Sequence, residues 1–185
     1  MDKKIVLASQ SPRRKQLLEM AEIAFEIQVA DIDETPPTDM PAEEVPEHLA
    51  KEKAAVIAAK NPGATIIAAD TVVILNGEIL NKPEDEADAI NILKKLSGNM
   101  HRVVSGVCIQ HGDTQDGFSV TTEVYFRPLT EEQIKHYVTN YKPFDKAGAY
   151  AIQEWIGIIG IEKIVGDYYN VMGLPIGDVV RRLID

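Results

Sequence analysis

Cysteine is nearly absent: Cys108 is the only one in 185 residues, which rules out an internal disulfide and any zinc site built on several thiolates. Positive charge is also in short supply. With 19 basic against 29 acidic residues the chain carries a net charge of −10, which argues against a surface made to grip long nucleic acid. A small anion is not excluded, because it responds to the local field of a cleft rather than to the total. Long hydrophobic runs are missing too. None approaches the ~20 apolar residues of a membrane helix, and MDKKIVLAS at the start contains no apolar segment of signal-peptide length. A cytoplasmic protein with no membrane contact is expected. The phosphate loop GxxxxGKS/T, the dinucleotide fingerprint GxGxxG, the nucleophile elbow GxSxG and the metal helix HExxH are all absent. The four histidines, His48, His101, His111 and His136, are scattered without metal-ligand spacing, so each reads as a surface or hydrogen-bonded residue.

What is present is an ordinary globular composition, 45% hydrophobic and 26% charged, in a length that suits one well-buried core. One domain over residues 1–185, shaped as two lobes, is expected. Strands and helices alternate along it. KIVLAS is a strand, and Ser11 with Pro12 caps and opens a helix whose inward face carries Leu17, Leu18 and Ala21. FEIQVADIDE alternates Phe25, Ile27 and Val29 as a half-buried strand before a Pro-rich loop. EHLAKEKAAVIAAK is a helix, and TIIAADTVVILNGEIL is a hairpin turning at Asn76-Gly77. PEDEADAINILKKLSG is a helix with acids first and lysines last. HRVVSGVCIQ and FSVTTEVYFR form an antiparallel pair joined through Gly112 to Gly117, and Thr130 with Gln133 has capping-box spacing. GIIGIEKIVG is a strand candidate and LPIGDVVRRLID a closing helix. The pattern is that of a mixed α/β domain whose later strands are antiparallel.

Chemistry can come from polar residues at strand ends and loop tips. Asp70 interrupts the apolar run IIAADTVV, where a carboxylate is costly without a partner or a metal. It reads either as a turn-forming strand end or as a group that binds metal or activates water. Asp31, Asp33 and Glu34 follow another strand and make a cluster that hard cations such as Mg²⁺ or Mn²⁺ accept, or else a solvated loop. Lys53 lies on a helix and Lys82 directly after the hairpin. Arg13, Arg14 and Lys15 crowd a helix N-terminus, where a purely structural helix would place acids. Free N–H groups and arginines together make an anion site there. A cationic helix mouth, carboxylates for a divalent metal and extra lysines match phosphoryl chemistry on a small substrate. They do not say which phosphate bond is cut.

LASQSPRR, DIDE, AKEKA, AADTVV, LNKPED, DKAGAYAIQ and GDYYNVMGLP, in this order from residue 5 to about residue 180, resemble the Maf family of nucleoside triphosphate pyrophosphatases. The resemblance implies an α/β fold of two lobes around an elongated mixed sheet flanked by helices, like the inosine triphosphate pyrophosphatases, with the active site in the cleft between lobes. It implies hydrolysis of a nucleoside triphosphate to monophosphate and pyrophosphate, with a divalent cation, Mg or Mn, held by Asp70 and Glu34. Asp70 corresponds to the proton acceptor, and Glu34, Lys53 and Lys82 to other polar catalytic positions. Ser9, Arg13 and Arg14 match the phosphate-binding segment. Arg13, Thr71 and Gln153 resemble the subgroup acting on dTTP and UTP, in a house-cleaning role against modified pyrimidine nucleotides. A Gln amide offers a donor beside an acceptor, as the imide edge of thymine or uracil requires.

Two positions depart from the family pattern. Asp167 stands where many relatives have Ser, so it either joins the metal shell or points away; Ser105 stands where Thr is usual, a change expected to affect packing only. Trp155 is read as core. The expected partners are the nucleotide and a second copy of the chain in a homodimer. Two other readings stand beside this one: a 7-methyl-GTP pyrophosphatase with the same machinery, and a non-catalytic nucleotide-binding regulator of division.

Overall fold

The computed structural model describes residues 4–184. Its strands are β1 (Ile5–Leu7), β2 (Glu26–Ile27), β3 (Thr65–Leu75), β4 (Glu78–Leu80), β5 (Met100–His111), β6 (Thr114–Phe126) and β7 (Ile161–Val165). Its helices are α1 (Pro12–Met20), α2 (Val45–Lys60), α3 (Glu86–Leu96), α4 (Glu131–Tyr141), α5 (Trp155–Gly160), α6 (Tyr168–Met172) and α7 (Ile176–Ile184). All seven strands join one mixed sheet in the order β2-β1-β3-β5-β6-β7, with β4 also on β3. The pairs β1–β2 and β1–β3 are parallel, and the pairs among later strands are antiparallel. This is the mixed α/β sheet flanked by helices that the alternating elements predict.

The central strand β3 positions the site. Side chains alternate faces along a strand, so Ile67, Ala69, Val73 and Leu75 enter the larger core with Leu17, Leu18 and the α3 and α4 residues. Ile66, Ala68, Val72 and Ile74 face α2 instead. On that second face the apolar packing splits into two clusters, one around Ala50, Ala54, Ile66 and Ala68, the other around Leu49, Val72 and Ile74. Asp70 stands at the break. Opposite it in register is Gly106 of β5, where an added Cβ would lie 2.0 Å from the Glu47 nitrogen. The missing side chain lets α2 lie directly on the sheet, with Lys53 two turns further along.

The edge of β3 is interrupted as well. β1 pairs with residues 65–67 and β4 with 73–75 on the same side, so residues 68–72 have β5 on one side and no strand on the other. That gap opens into the cleft.

Several expectations change in detail. The hairpin at Asn76-Gly77 is as read, both residues having positive φ, 51° and 83°, as a two-residue turn between twisted strands requires. The capping box at Thr130 forms, as does the Ser11 cap. The β5–β6 hairpin is tighter than expected: β6 starts at Thr114, because Gly112 at φ 57° completes the turn with Asp113. GIIGIEKIVG is divided, its first part ending helix α5 and only Ile161–Val165 forming strand. FEIQVADIDE shrinks to the two-residue β2, with Ile27 and Val29 exposed at 43% and 53%. Its alternation has no packed layer above it, so periodicity alone does not make a longer strand.

Candidate active site

A cleft of about 350 Å³ lies over the gap in β3, within the usual range for small-molecule sites. Ser9, Arg13, Arg14, Glu34, Lys53, Asp70, Thr71, Lys82 and Gln153, nine residues singled out from sequence, all line it. They come from the β1–α1 turn, α1, the loop after β2, α2, β3, the segment after β4 and the loop before α5.

At one end Lys53, 8% exposed, extends from α2 between two carboxylates. Its Nζ lies 3.0 Å from Asp70 Oδ1 and 2.8 Å from Glu34 Oε1. Burial of a lysine at this depth requires such partners. The hydrogen bond from Lys53, aided by the charges of Lys53, Lys82 and Arg14, holds the Glu34 carboxyl below its usual range against partial burial. Lys82 is exposed at the rim. Asp31 and Asp33 are exposed and do not line the cleft; Asp33 turns back to accept the Thr35 N–H at 2.9 Å.

The two arginines diverge. Arg14 donates from Nε to the Gly173 carbonyl at 2.7 Å, from Nη1 to the Ala69 carbonyl at 2.9 Å and Ser9 Oγ at 3.2 Å, and from Nη2 to Thr71 Oγ1 at 3.0 Å. Four of its five N–H groups therefore bind protein. The bond to Ala69 fills part of the unpaired edge of β3. Burial lowers the Arg14 pKa, and the facing Asp70 opposes that shift. Arg13 instead lies along the cleft wall, its Nη1 3.6 Å from Asp145 Oδ2.

Beneath Thr71 runs a buried polar chain. Thr71 Oγ1 lies 2.8 Å from Ser105 Oγ, and Ser105 donates to the Asn170 carbonyl at 3.2 Å. Ser105 thus does more than pack, contrary to expectation: its hydroxyl supports Thr71 from β5. Asn170 is wholly buried and donates to the Val103 carbonyl at 3.1 Å and to Thr122 Oγ1 at 3.0 Å. Asp167 points away from the cleft, its Oδ1 capping α6 by accepting the Asn170 N–H at 2.9 Å. Trp155 is half-buried against the main core, with the His136 ring 4.7 Å away.

Around Gln153, sequence reasoning missed the charged and aromatic residues. Lys146, 9% exposed, lines the cleft there, its Nζ 2.8 Å from Asp145 Oδ1 and 3.6 Å from Glu154 Oε1. Tyr137 donates to Glu154 Oε2 at 2.8 Å and accepts the Ala151 N–H at 3.2 Å. Tyr150 forms part of the wall, and its hydroxyl is 2.6 Å from Nε2 of the buried His101. The available signal was the charged pair Asp145-Lys146 set against the apolar AGAYAI.

The donor set decides what kind of cation the site suits. Among the described residues no group of three or more His, Cys, Asp or Glu is gathered for a metal, so a resident ion in an all-protein cage does not fit. Two carboxylates already converging on one ammonium do fit a divalent ion that arrives with phosphate oxygens, the usual pattern for Mg²⁺.

Cations on three elements, paired carboxylates at a break in the sheet and a cleft of small-molecule size define an α/β protein that handles a small polyanion. The chain belongs to the Maf-like protein family, which matches residues 4–185. It is 50% identical to the dTTP/UTP pyrophosphatase of Cytophaga hutchinsonii over 97% of this chain and 82% of that one. The dTTP/UTP pyrophosphatases of Phocaeicola vulgatus and Bacteroides thetaiotaomicron are 50% and 45% identical, each over 97% of this chain and 94% of theirs. Among solved structures, the Staphylococcus aureus Ham1 protein is similar over 67% of this chain and 72% of that one, at 22% identity and a TM-score of 0.47. No helix among the described residues is long and apolar enough to cross a membrane.

Proposed function

We infer that the protein hydrolyses nucleoside triphosphates, with dTTP, UTP and modified pyrimidine nucleotides as substrates, to the monophosphate and pyrophosphate. The observation that carries this reading is the Asp70–Lys53–Glu34 cluster at the mouth of α1, beside relatives that bear the name dTTP/UTP pyrophosphatase. Asp70 and Glu34 would hold a divalent cation, Mg or Mn, which when bound neutralises phosphate charge and polarises the reacting phosphorus. Lys53, Lys82 and Arg13 add positive charge along the triphosphate. Asp70 accepts the proton of a water whose oxygen attacks the α-phosphorus. The new bond joins that oxygen to phosphorus, the bond from phosphorus to the α–β bridging oxygen breaks, and pyrophosphate leaves with the electron pair.

Thr71, held by Arg14 and Ser105, and Gln153, which faces the cleft, would read the base. The working form in this reading is a cytoplasmic homodimer. The purified protein with Mg²⁺ or Mn²⁺ should release pyrophosphate, not orthophosphate, from dTTP and UTP, and should act more weakly on GTP and 7-methyl-GTP. Release of orthophosphate, or preference for 7-methyl-GTP, would replace the reading.

A further inference from the structure

Gln153 is exposed to the cleft, and no hydrogen bond to the described chain holds its side-chain amide. Such an amide can turn over, exchanging its oxygen for its NH₂. In one orientation it pairs with uracil or thymine, which present the O4 acceptor beside the N3–H donor. Turned over, it pairs as well with cytosine, which presents an amino donor beside a bare N3 acceptor. Gln153 alone therefore cannot separate the two kinds of pyrimidine.

Lys146 has no such freedom. An ammonium has three donors and no acceptor, and this one is held in place with 9% exposure. Asp145 Oδ1 lies 2.8 Å from it and Glu154 Oε1 3.6 Å. Both carboxylates have other partners. Asp145 Oδ2 faces Arg13 Nη1 at 3.6 Å, and Glu154 Oε2 accepts the Tyr137 hydroxyl at 2.8 Å. Glu154 does not line the cleft, whereas Lys146 does. One N–H donates to Asp145 and the Glu154 carboxylate is an ion-pair partner at 3.6 Å, so donor capacity remains for a ligand. A fixed donor at this point welcomes a carbonyl and opposes an amino group, because two donors cannot satisfy each other.

We propose that Lys146 is a specificity-determining residue, whose ammonium donates to the base carbonyl that cytosine replaces with an amino group and so removes the ambiguity of Gln153. The proposal rests on the nucleotide-hydrolysis reading for its substrate class. Its test compares UTP with CTP, which differ only at that edge. The measurements are kcat/KM for each nucleotide, and calorimetric binding of each to Asp70→Asn protein, which reads the same preference without turnover.

Lys146→Gln places an amide that can turn over where the ammonium was, and should lower the UTP:CTP preference at least about tenfold, chiefly through KM for UTP. Lys146→Met should do the same, while Lys146→Arg, which keeps donor-only chemistry, should retain most of it. Equal losses on both nucleotides, or an unchanged ratio, overturn the proposal and leave Lys146 a structural ion-pair partner. If the parent protein hydrolyses neither nucleotide, the catalytic reading fails and the binding ratio alone decides this one. Binding of neither overturns both.

Discussion

The two ends of the cleft are made from different kinds of chain. Asp70 and Lys53 belong to β3 and α2, regular elements packed against one another, with β3 paired to β5 on one side of Asp70. Asp145, Lys146 and Gln153 lie between α4 and α5, where the only regular structure is one 3₁₀ turn, Ala147–Ala149. Gly148 and Ala149 have φ of 69° and 58° there, and a Cβ on Gly148 would lie 2.8 Å from a Val73 methyl. Positive φ at a buried alanine is strained backbone that persists only because its surroundings hold it. The charged end gets its geometry from sheet and helix, and the far end from ion pairs and hydrogen bonds. In the proposed reading, chemistry common to all nucleotides falls to the first and discrimination among bases to the second.

The sharpest way to break this contrast is at Asp70. Asp70→Asn should lower kcat by about 10³-fold, the middle of the range for loss of a general base, with the thermal midpoint little changed because Lys53 keeps Glu34 at 2.8 Å. Stopped-assay turnover and a melting curve decide it, and undiminished turnover would remove Asp70 from the chemistry.

The neighbouring arginines sharpen the boundary between ends. Arg14→Met leaves the Ala69 carbonyl without its donor and the Gly173 carbonyl with only the Thr71 hydroxyl at 3.2 Å, at a cost of about 2 kcal/mol, so the midpoint should fall by roughly 4–8 °C. Arg13→Met removes a longer ion pair to the largely exposed Asp145 and should move the midpoint by less than about 2 °C while raising KM. Equal melting shifts for the two would show that Arg14 does not brace β3.

A change with pH rather than a loss of contact tests the support of Tyr150 at the irregular end. Burial pulls the His101 pKa from 6.5 down to about 3, so the folded ring stays neutral where the unfolded chain takes up a proton. Between those values the unfolded state binds more protons; stability therefore rises with pH and is lost as pH falls below about 6.5. Between pH 6.5 and 4.5 the parent midpoint should drop by about 5 °C. His101→Phe should flatten that slope, and parallel slopes would show that another group is responsible.

Much of the charged end is legible in the sequence. IIAADTVV places an ionisable residue inside a buried strand, and Arg13-Arg14 sets cations at a helix start, two local rules broken at the site. What could not be read was which arginine faces a ligand. Adjacent residues on a helix diverge by about 100°, and only the packing of α6, with Gly173, and of Ala69 selects Arg14 as the brace. At the other end Gln153 is legible but Lys146 is not, because its partner Glu154 and the Tyr137 hydroxyl that holds Glu154 leave no spacing in the sequence.

The chain by itself determined the alternation of strands and helices, the turn at Asn76-Gly77, the caps at Ser11 and Thr130, and the opposite facing of Asp70 and Thr71 along β3. These follow from short-range sterics and period-two or near-3.6 repeats, which act over a few residues. Tertiary structure alone decided that Lys53 stands between Asp70 and Glu34, that a gap between β1 and β4 opens the cleft, and that Lys146 and Gln153 line the same cleft. Those placements depend on how close α2 can approach at Gly106 and on burial that each charge can tolerate only with its partners.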